Sequence, residues 1–299
     1  MRKVSLFVLA IFAGWALEAQ SLPVLLIQSD AAVLGAAGAS AQTSLSALAL
    51  ENNAAAMSLS SVKLEAGAFY GSWQPSAAKD GLLGAGAYWH SGKLGAGFSY
   101  KSLSMPSYEV ISSNGVVSQV GGLYSPKESV LSLGGSYALN ENLALGVVCK
   151  MTSSSLAKDA SASVFGADIS VQYVKDILRV GLSLANLGGK VKYDTESYSQ
   201  PLLAKAGASY DIMSNLTASA CAEYLFEGAF GASLGAEYRY KDMAFARVGY
   251  HMGKKDLGIP SYASLGLGAK YAGIGLNLAY LLASETLGGS FLAGLSYSF

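Results

Sequence analysis

From Val62 to the C-terminus, apolar side chains recur at every second position in runs of about ten residues, each closed by a turn. The last run is the clearest. Phe291, Ala293, Leu295, Tyr297 and Phe299 alternate with Leu292, Gly294, Ser296 and Ser298. A period of two is that of a strand with two different faces. About 14 such runs are predicted, near 62–71, 82–91, 93–102, 129–139, 142–152, 163–174, 177–187, 201–210, 215–226, 229–240, 243–251, 262–271, 273–283 and 289–299. Each is long enough for a tilted strand to cross a bilayer.

The connections alternate too. Those after even runs are tight: His90 to Gly92, Asn140-Glu141, Lys175-Asp176, Asp211 to Asn215, Lys241-Asp242 and Ala272. Most of those after odd runs are longer, with Ser102 to Glu128 the longest and His251 to Ser261 another; Glu227-Gly228 is the short exception. Outer-membrane barrels have short periplasmic turns, longer external loops and an even strand number. The predicted fold class is therefore all-β: a transmembrane antiparallel β-barrel of about 14 strands, preceded by a short plug-like segment.

Charge decides which face meets lipid. One parity carries aliphatic and aromatic residues. The other carries Gly and Ser with Lys63, Glu65, Lys101, Lys150, Asp168, Arg179, Lys205, Glu223, Glu237, Arg239, Arg247 and Lys270. A Lys or Arg turned to lipid costs up to about 2–4 kcal/mol at the midplane, so the opposite register would cost on the order of 10 kcal/mol. The charged parity faces the lumen. Aromatics on the other parity then fall into two belts. Trp89, Tyr137, Tyr173, Tyr210, Tyr238, Tyr271 and Tyr297 mark the periplasmic side; Tyr70, Tyr100, Tyr224, Tyr250 and Tyr280 mark the external side.

The rest of the chain divides simply. Residues 1–19 read as a signal peptide, with Arg2 and Lys3 before an apolar stretch from Val4 to Ala16. Residues 20–61 lack alternation, and a short helix from about Ser44 to Met57 is expected, folded into the periplasmic mouth. Residues 62–299 are the barrel.

Composition agrees. Charged residues are 13% of the 299, glycine is 35, and 20 basic residues balance 20 acidic ones. Mean hydropathy is +0.35. A neutral chain has no basic face for nucleic acid, so none is expected as a partner. Chemistry is sparse. His90, in a tight turn, and His251, at the start of an external loop, read as solvated, without Cys, His or Glu at metal-ligand spacing. A membrane-embedded lipase would need Ser, His and an acid together. No catalytic, metal or cofactor-binding residue is assigned, no cofactor is expected, and the chain does not read as an enzyme. The lumenal charges either line a ligand path or close the interior by salt bridges, such as Glu237 or Glu223 with Arg239 or Arg247. Cys149 shares parity with Val147 and Met151, and Cys221 with Ser219 and Glu223. Opposite faces of the wall cannot supply the close Cβ approach of a disulfide.

Several stretches together resemble the PorV/PorQ family of outer-membrane barrels, related in fold to the FadL transporters. They are Asp30 to Ala39, Ala47 to Met57 with Asn53-Ala54-Ala55, Leu131 to Leu145, Phe165 to Asp168, Leu178 to Gly188 and Leu203 to Tyr210. Ala54 stands where the family has proline, and Asn52 where it has an aromatic. The resemblance implies a Gram-negative-type outer-membrane protein, with lipid around it, acting as a monomeric barrel. It implies one of two functions: binding or shuttling exported proteins in a type IX-like secretion pathway, or passive passage of small hydrophobic compounds.

Overall fold

The computed structural model describes residues 22–113, 118–158, 160–193, 196–253, 260–282 and 284–299. The predicted signal peptide and its cleavage point fall outside them.

Among the described residues the strands are β1 (Leu64–Trp73), β2 (Asp80–Ser91), β3 (Leu94–Ser104), β4 (Tyr108–Ser113), β5 (Ser118–Tyr124), β6 (Lys127–Ala138), β7 (Leu143–Ala157), β8 (Ala160–Lys175) and β9 (Leu178–Gly188). They continue as β10 (Val191–Tyr193), β11 (Glu196–Tyr198), β12 (Leu203–Met213), β13 (Leu216–Leu225), β14 (Ala229–Tyr240), β15 (Ala244–Met252), β16 (Tyr262–Tyr271), β17 (Ile274–Leu282) and β18 (Phe291–Ser298). Fourteen form one closed antiparallel barrel; β4–β5 and β10–β11 are separate two-stranded hairpins in external connections. The first and last strands seal the wall, from Glu65 opposite Ser298 to Ser72 opposite Phe291. Closure leaves no unpaired strand edge in lipid, where none is tolerated.

The alternation holds around the wall. Leu133, Val248, Leu267 and Leu295 are each more than half exposed on the outside, while Lys101, Lys150, Asp168 and Arg247 are buried inside. Lys270 is exposed near the periplasmic mouth. Cys149 lies exposed on the outer face and Cys221 buried on the inner one. The tight turns need left-handed backbone: Ala272 and Gly273 have φ of 48° and 83° between Tyr271 and Ile274. The tight external connection at Glu227-Gly228 is real, spanning only Phe226 to Gly228 between β13 and β14.

The N-terminal segment differs from expectation. No helix runs from Ser44 to Met57. Two short helices occur, α1 (Ala31–Gly35) and α2 (Ala49–Asn52), with 3-10 turns at Pro23–Leu25 and Ala54–Leu59. Asn53, with φ of −147°, separates α2 from the second turn. Its side chain caps the Ala55 N–H, and tertiary partners outweigh the helical propensity of the alanines around it.

Candidate functional site

The lumen is the part of the molecule that concentrates polar chemistry, and the N-terminal segment occupies it. Inward glycines make this possible. A Cβ at Gly181 would lie 1.9 Å from the Gln42 carbonyl oxygen, and one at Gly146 would lie 2.4 Å from the Ala55 nitrogen. Gly266 meets Gly35 at 2.8 Å in the same sense. The wall is bare of side chains where the segment's backbone touches it. Leu50 and Met57 complete the fit by packing with Tyr88 and Val148.

Polar contacts fix the position. Asn53 Nδ2 donates to Gln42 O at 3.0 Å, Val171 O at 3.1 Å and Gln172 Oε1 at 3.0 Å. Asn52, in place of the family's aromatic, accepts from Gln28 Nε2 at 2.9 Å. Glu51 pairs with Lys101 at 2.7 Å and accepts from Ser99 Oγ at 2.6 Å. Burial pushes the Glu51 carboxyl up, but Lys101, Lys150 and the Ser99 hydroxyl outweigh it and hold the carboxyl at about 2. On the other side Ser264 Oγ donates to Gly35 O at 2.9 Å, and the Thr43 and Ser209 hydroxyls share a hydrogen bond.

Residues 36–43 of the segment stand between two cavities. The inner one, of about 340 Å³, opens near the periplasmic turns and is lined by Ser40, Thr43, Arg179, Glu237, Arg239 and Arg247. Its ions are largely paired. Arg179 forks onto Asp211 at 2.7 and 3.0 Å, and Thr217 Oγ1 also donates to Asp211. Arg247 Nε donates to Glu237 at 2.7 Å and its Nη1 to Asn277 at 2.8 Å. The outer cavity, of about 600 Å³, lies at the external end. Leu26, Ile27, Trp73, Leu103, Met105 and Leu203 are among its apolar walls. Its polar side carries Lys205, Glu223, Ser233 and His251.

Parity placed the lumenal charges within the strands correctly, whereas Lys63 precedes β1 and is exposed; the expected Glu237–Arg247 pair forms. Glu223 instead faces Lys205 and His251, each at 3.7 Å. Two partners escaped the sequence reading. Asp211 is expected in a turn but lies within β12, on the same inward parity as Lys205 and Ser209, opposite Thr217 and in reach of Arg179. Glu51 lies in the segment without periodicity, so nothing local pointed it at Lys101. The histidines correct the expectation of solvated loop positions. His90 belongs to β2, because the turn itself is Gly92-Lys93, and its Nδ1 is buried. His251 is 4% exposed, stacked on Tyr262 with ring centroids 5.1 Å apart. The strand continues one residue past the expected end and carries the ring inward.

Ser233 Oγ and His251 Nδ1 are 2.8 Å apart, so Ser, His and Glu223 do meet. The carboxylate is nevertheless beyond hydrogen-bond reach of the ring. β14 is also paired on both sides at Ser233, with Cys221 and His251, so its backbone is committed to the ladder rather than to an oxyanion hole. The trio offers a hydrogen-bonding surface. Among the described residues no group of three or more His, Cys, Asp or Glu could hold a metal ion.

A family model described as type IX secretion system protein PorV matches residues 17–223. The chain belongs to the PorV family. It is therefore a Gram-negative outer-membrane protein, and the PorV barrel described above has solved counterparts. The toluene transporter TodX of Pseudomonas putida superposes with a TM-score of 0.64 at 16% identity, over 91% of this chain and 98% of that one. The toluene transporter TbuX of Ralstonia pickettii gives 0.61 at 13%, over 87% and 97%. A FadL homologue of Pseudomonas aeruginosa gives 0.56 at 14%, over 90% and 95%. At these identities the likeness is one of fold. No curated protein matches.

Proposed function

We propose that this PorV-family barrel binds exported polypeptides at the outer membrane and hands them on in a type IX-like pathway, as a monomeric, non-catalytic protein without a cofactor. The observation that carries this reading is the family match over residues 17–223. The lumen supports it: the segment from Ala36 to Thr43 stands across the path between the inner and outer cavities. A barrel closed in this way acts through its surface and loops.

The second reading, passage of small hydrophobic compounds, draws on the outer cavity and on neighbours that are toluene transporters. One experiment separates the two. The gene is deleted, and both the release of secreted proteins carrying a C-terminal export signal and the uptake of toluene are measured. The expected result is cargo retained inside the envelope with uptake unchanged. Normal cargo release with slowed uptake would replace the first reading by the second.

A further inference from the structure

We propose that the external rim of β3, β6, β7 and β8 binds the sugar-phosphate headgroup of an outer-leaflet lipid. The ladder places residues of these four strands in rows on the outward face. One row is Tyr100, Leu131, Met151 and Phe165. The next row outward is Ser102, Ser129, Ser153 and Ser163, and the one beyond it is Ser104, Lys127, Ser155 and Ser161. Apolar side chains change to hydroxyls in a single step.

The step falls at the edge of the hydrocarbon. On β7 the outward positions from Leu143 to Met151 are Leu, Leu, Val, Cys and Met. That stretch is roughly 26 Å of strand, or roughly 20 Å of bilayer at the usual tilt, close to the apolar band of about 25 Å. The hydroxyl rows therefore stand at headgroup level. They are local to this side. At the external ends of β1, β15 and β18 the outward face carries Tyr70, Tyr250, Met252 and Phe291, all exposed.

The rows form a site with walls. Ser153 and Ser163 hydroxyls share a hydrogen bond of 2.9 Å, and Ser155 and Ser161 one of 2.6 Å. The Ser153–Ser163 pair has two protons and uses one between them, so it still has a proton to offer, and both pairs keep free lone pairs. Ser102, 1% exposed, ends its row with an Oγ that has no hydrogen-bond partner. The β4–β5 hairpin leans over the rows. Its Tyr124 hydroxyl lies 2.6 Å from Ser155 Oγ, and Tyr108 donates to the Leu156 carbonyl at 3.0 Å. Lys127 is exposed and adds a positive charge. The groove between Lys127 and Ser163 measures about 430 Å³, the size of a small-ligand site. Hydroxyls suit a sugar, and an ammonium suits a phosphate as a point charge. Phe165, 72% exposed directly beneath, continues the groove into lipid. The occupant is thus an amphiphile whose chains lie along the wall below.

The test uses the purified full-length barrel in detergent, with lipid A as the probe and native mass spectrometry as the readout. Wild type should retain lipid A, whereas S153A/S155A/S161A and, separately, K127Q should bind roughly tenfold more weakly. Dephosphorylated lipid A should bind wild type and K127Q alike. The same disaccharide bisphosphate without acyl chains should not be retained. Unheated samples of each variant must migrate faster on a gel than boiled ones, which verifies the fold. Equal retention of lipid A by wild type and both folded variants would overturn the site. Equal retention of the acyl-free headgroup would overturn the assignment to a membrane lipid.

Discussion

Glu51 carries the sharpest consequence at the scale of a single residue. Its folded carboxyl sits at about 2 against an ordinary value of 4.5. A lowered folded value contributes stability that is complete above the ordinary value and is lost as pH falls toward the folded one. Docking of residues 22–61 in the lumen should therefore weaken between pH 4.5 and about 2. Cleavage by pepsin tests this: the segment should resist near pH 4.5 and become cleavable as pH approaches 2. Glu51→Gln leaves Lys101 buried without its countercharge, a loss of about 3–5 kcal/mol, and should make the segment cleavable already at the higher pH. Equal resistance at both ends of the range would refute the coupling. Lys101 was legible as lumenal from its parity alone. Its partner was not, because Glu51 sits in a stretch with no period to orient it.

Among the elements, the N-terminal segment and the strands it touches depend on glycine. Gly181→Val would drive a side chain into the Gln42 carbonyl, which lies 1.9 Å from the Cβ position. Overpacking of this kind costs about 1–3 kcal/mol, and here the segment should yield, since the strand is held on both sides by ladder hydrogen bonds. Hydrogen exchange should rise in residues 40–57 while the barrel keeps its gel shift on heating. Gly81→Ala meets no heavy atom within 4 Å and should change neither, within about 0.5 kcal/mol. Unchanged exchange in Gly181→Val would mean that the contact is not what holds the segment. The period of two located the strands and the inward glycines. It could not say what those glycines make room for, because their partners, Gln42, Ala55 and Gly35, lie far earlier in the chain. The lost helix from Ser44 to Met57 has the same origin: Asn53 answers to Gln42, Val171 and Gln172 rather than to its neighbours.

For the whole molecule, closure is the decisive event. Phe299 donates its N–H to the Leu64 carbonyl at 2.8 Å, and its ring meets Tyr297 edge-on at 4.4 Å. Deleting Phe299 should lower the heat-modifiable fraction in membranes far more than it lowers synthesis. Deleting 106–125 should leave assembly nearly intact, since β3 and β6 pair directly from Ser104 and Lys127 inward and the β4–β5 hairpin lies outside the ladder. The reverse pattern would mean that the seam between β1 and β18 does not govern assembly. What the sequence determined by itself is everything that follows from a local period under a one-dimensional constraint. Strand positions, the face turned to lipid, the two aromatic belts and the pairing of the last strand with the first all come from alternation and the cost of charge in hydrocarbon. Only the tertiary structure decided where the aperiodic segment lies, that Glu51 neutralises Lys101, that His251 is buried over Glu223, and that serines on four strands line up in rows. Those are contacts between residues far apart in the chain, and their geometry is set by barrel register, which no single strand contains.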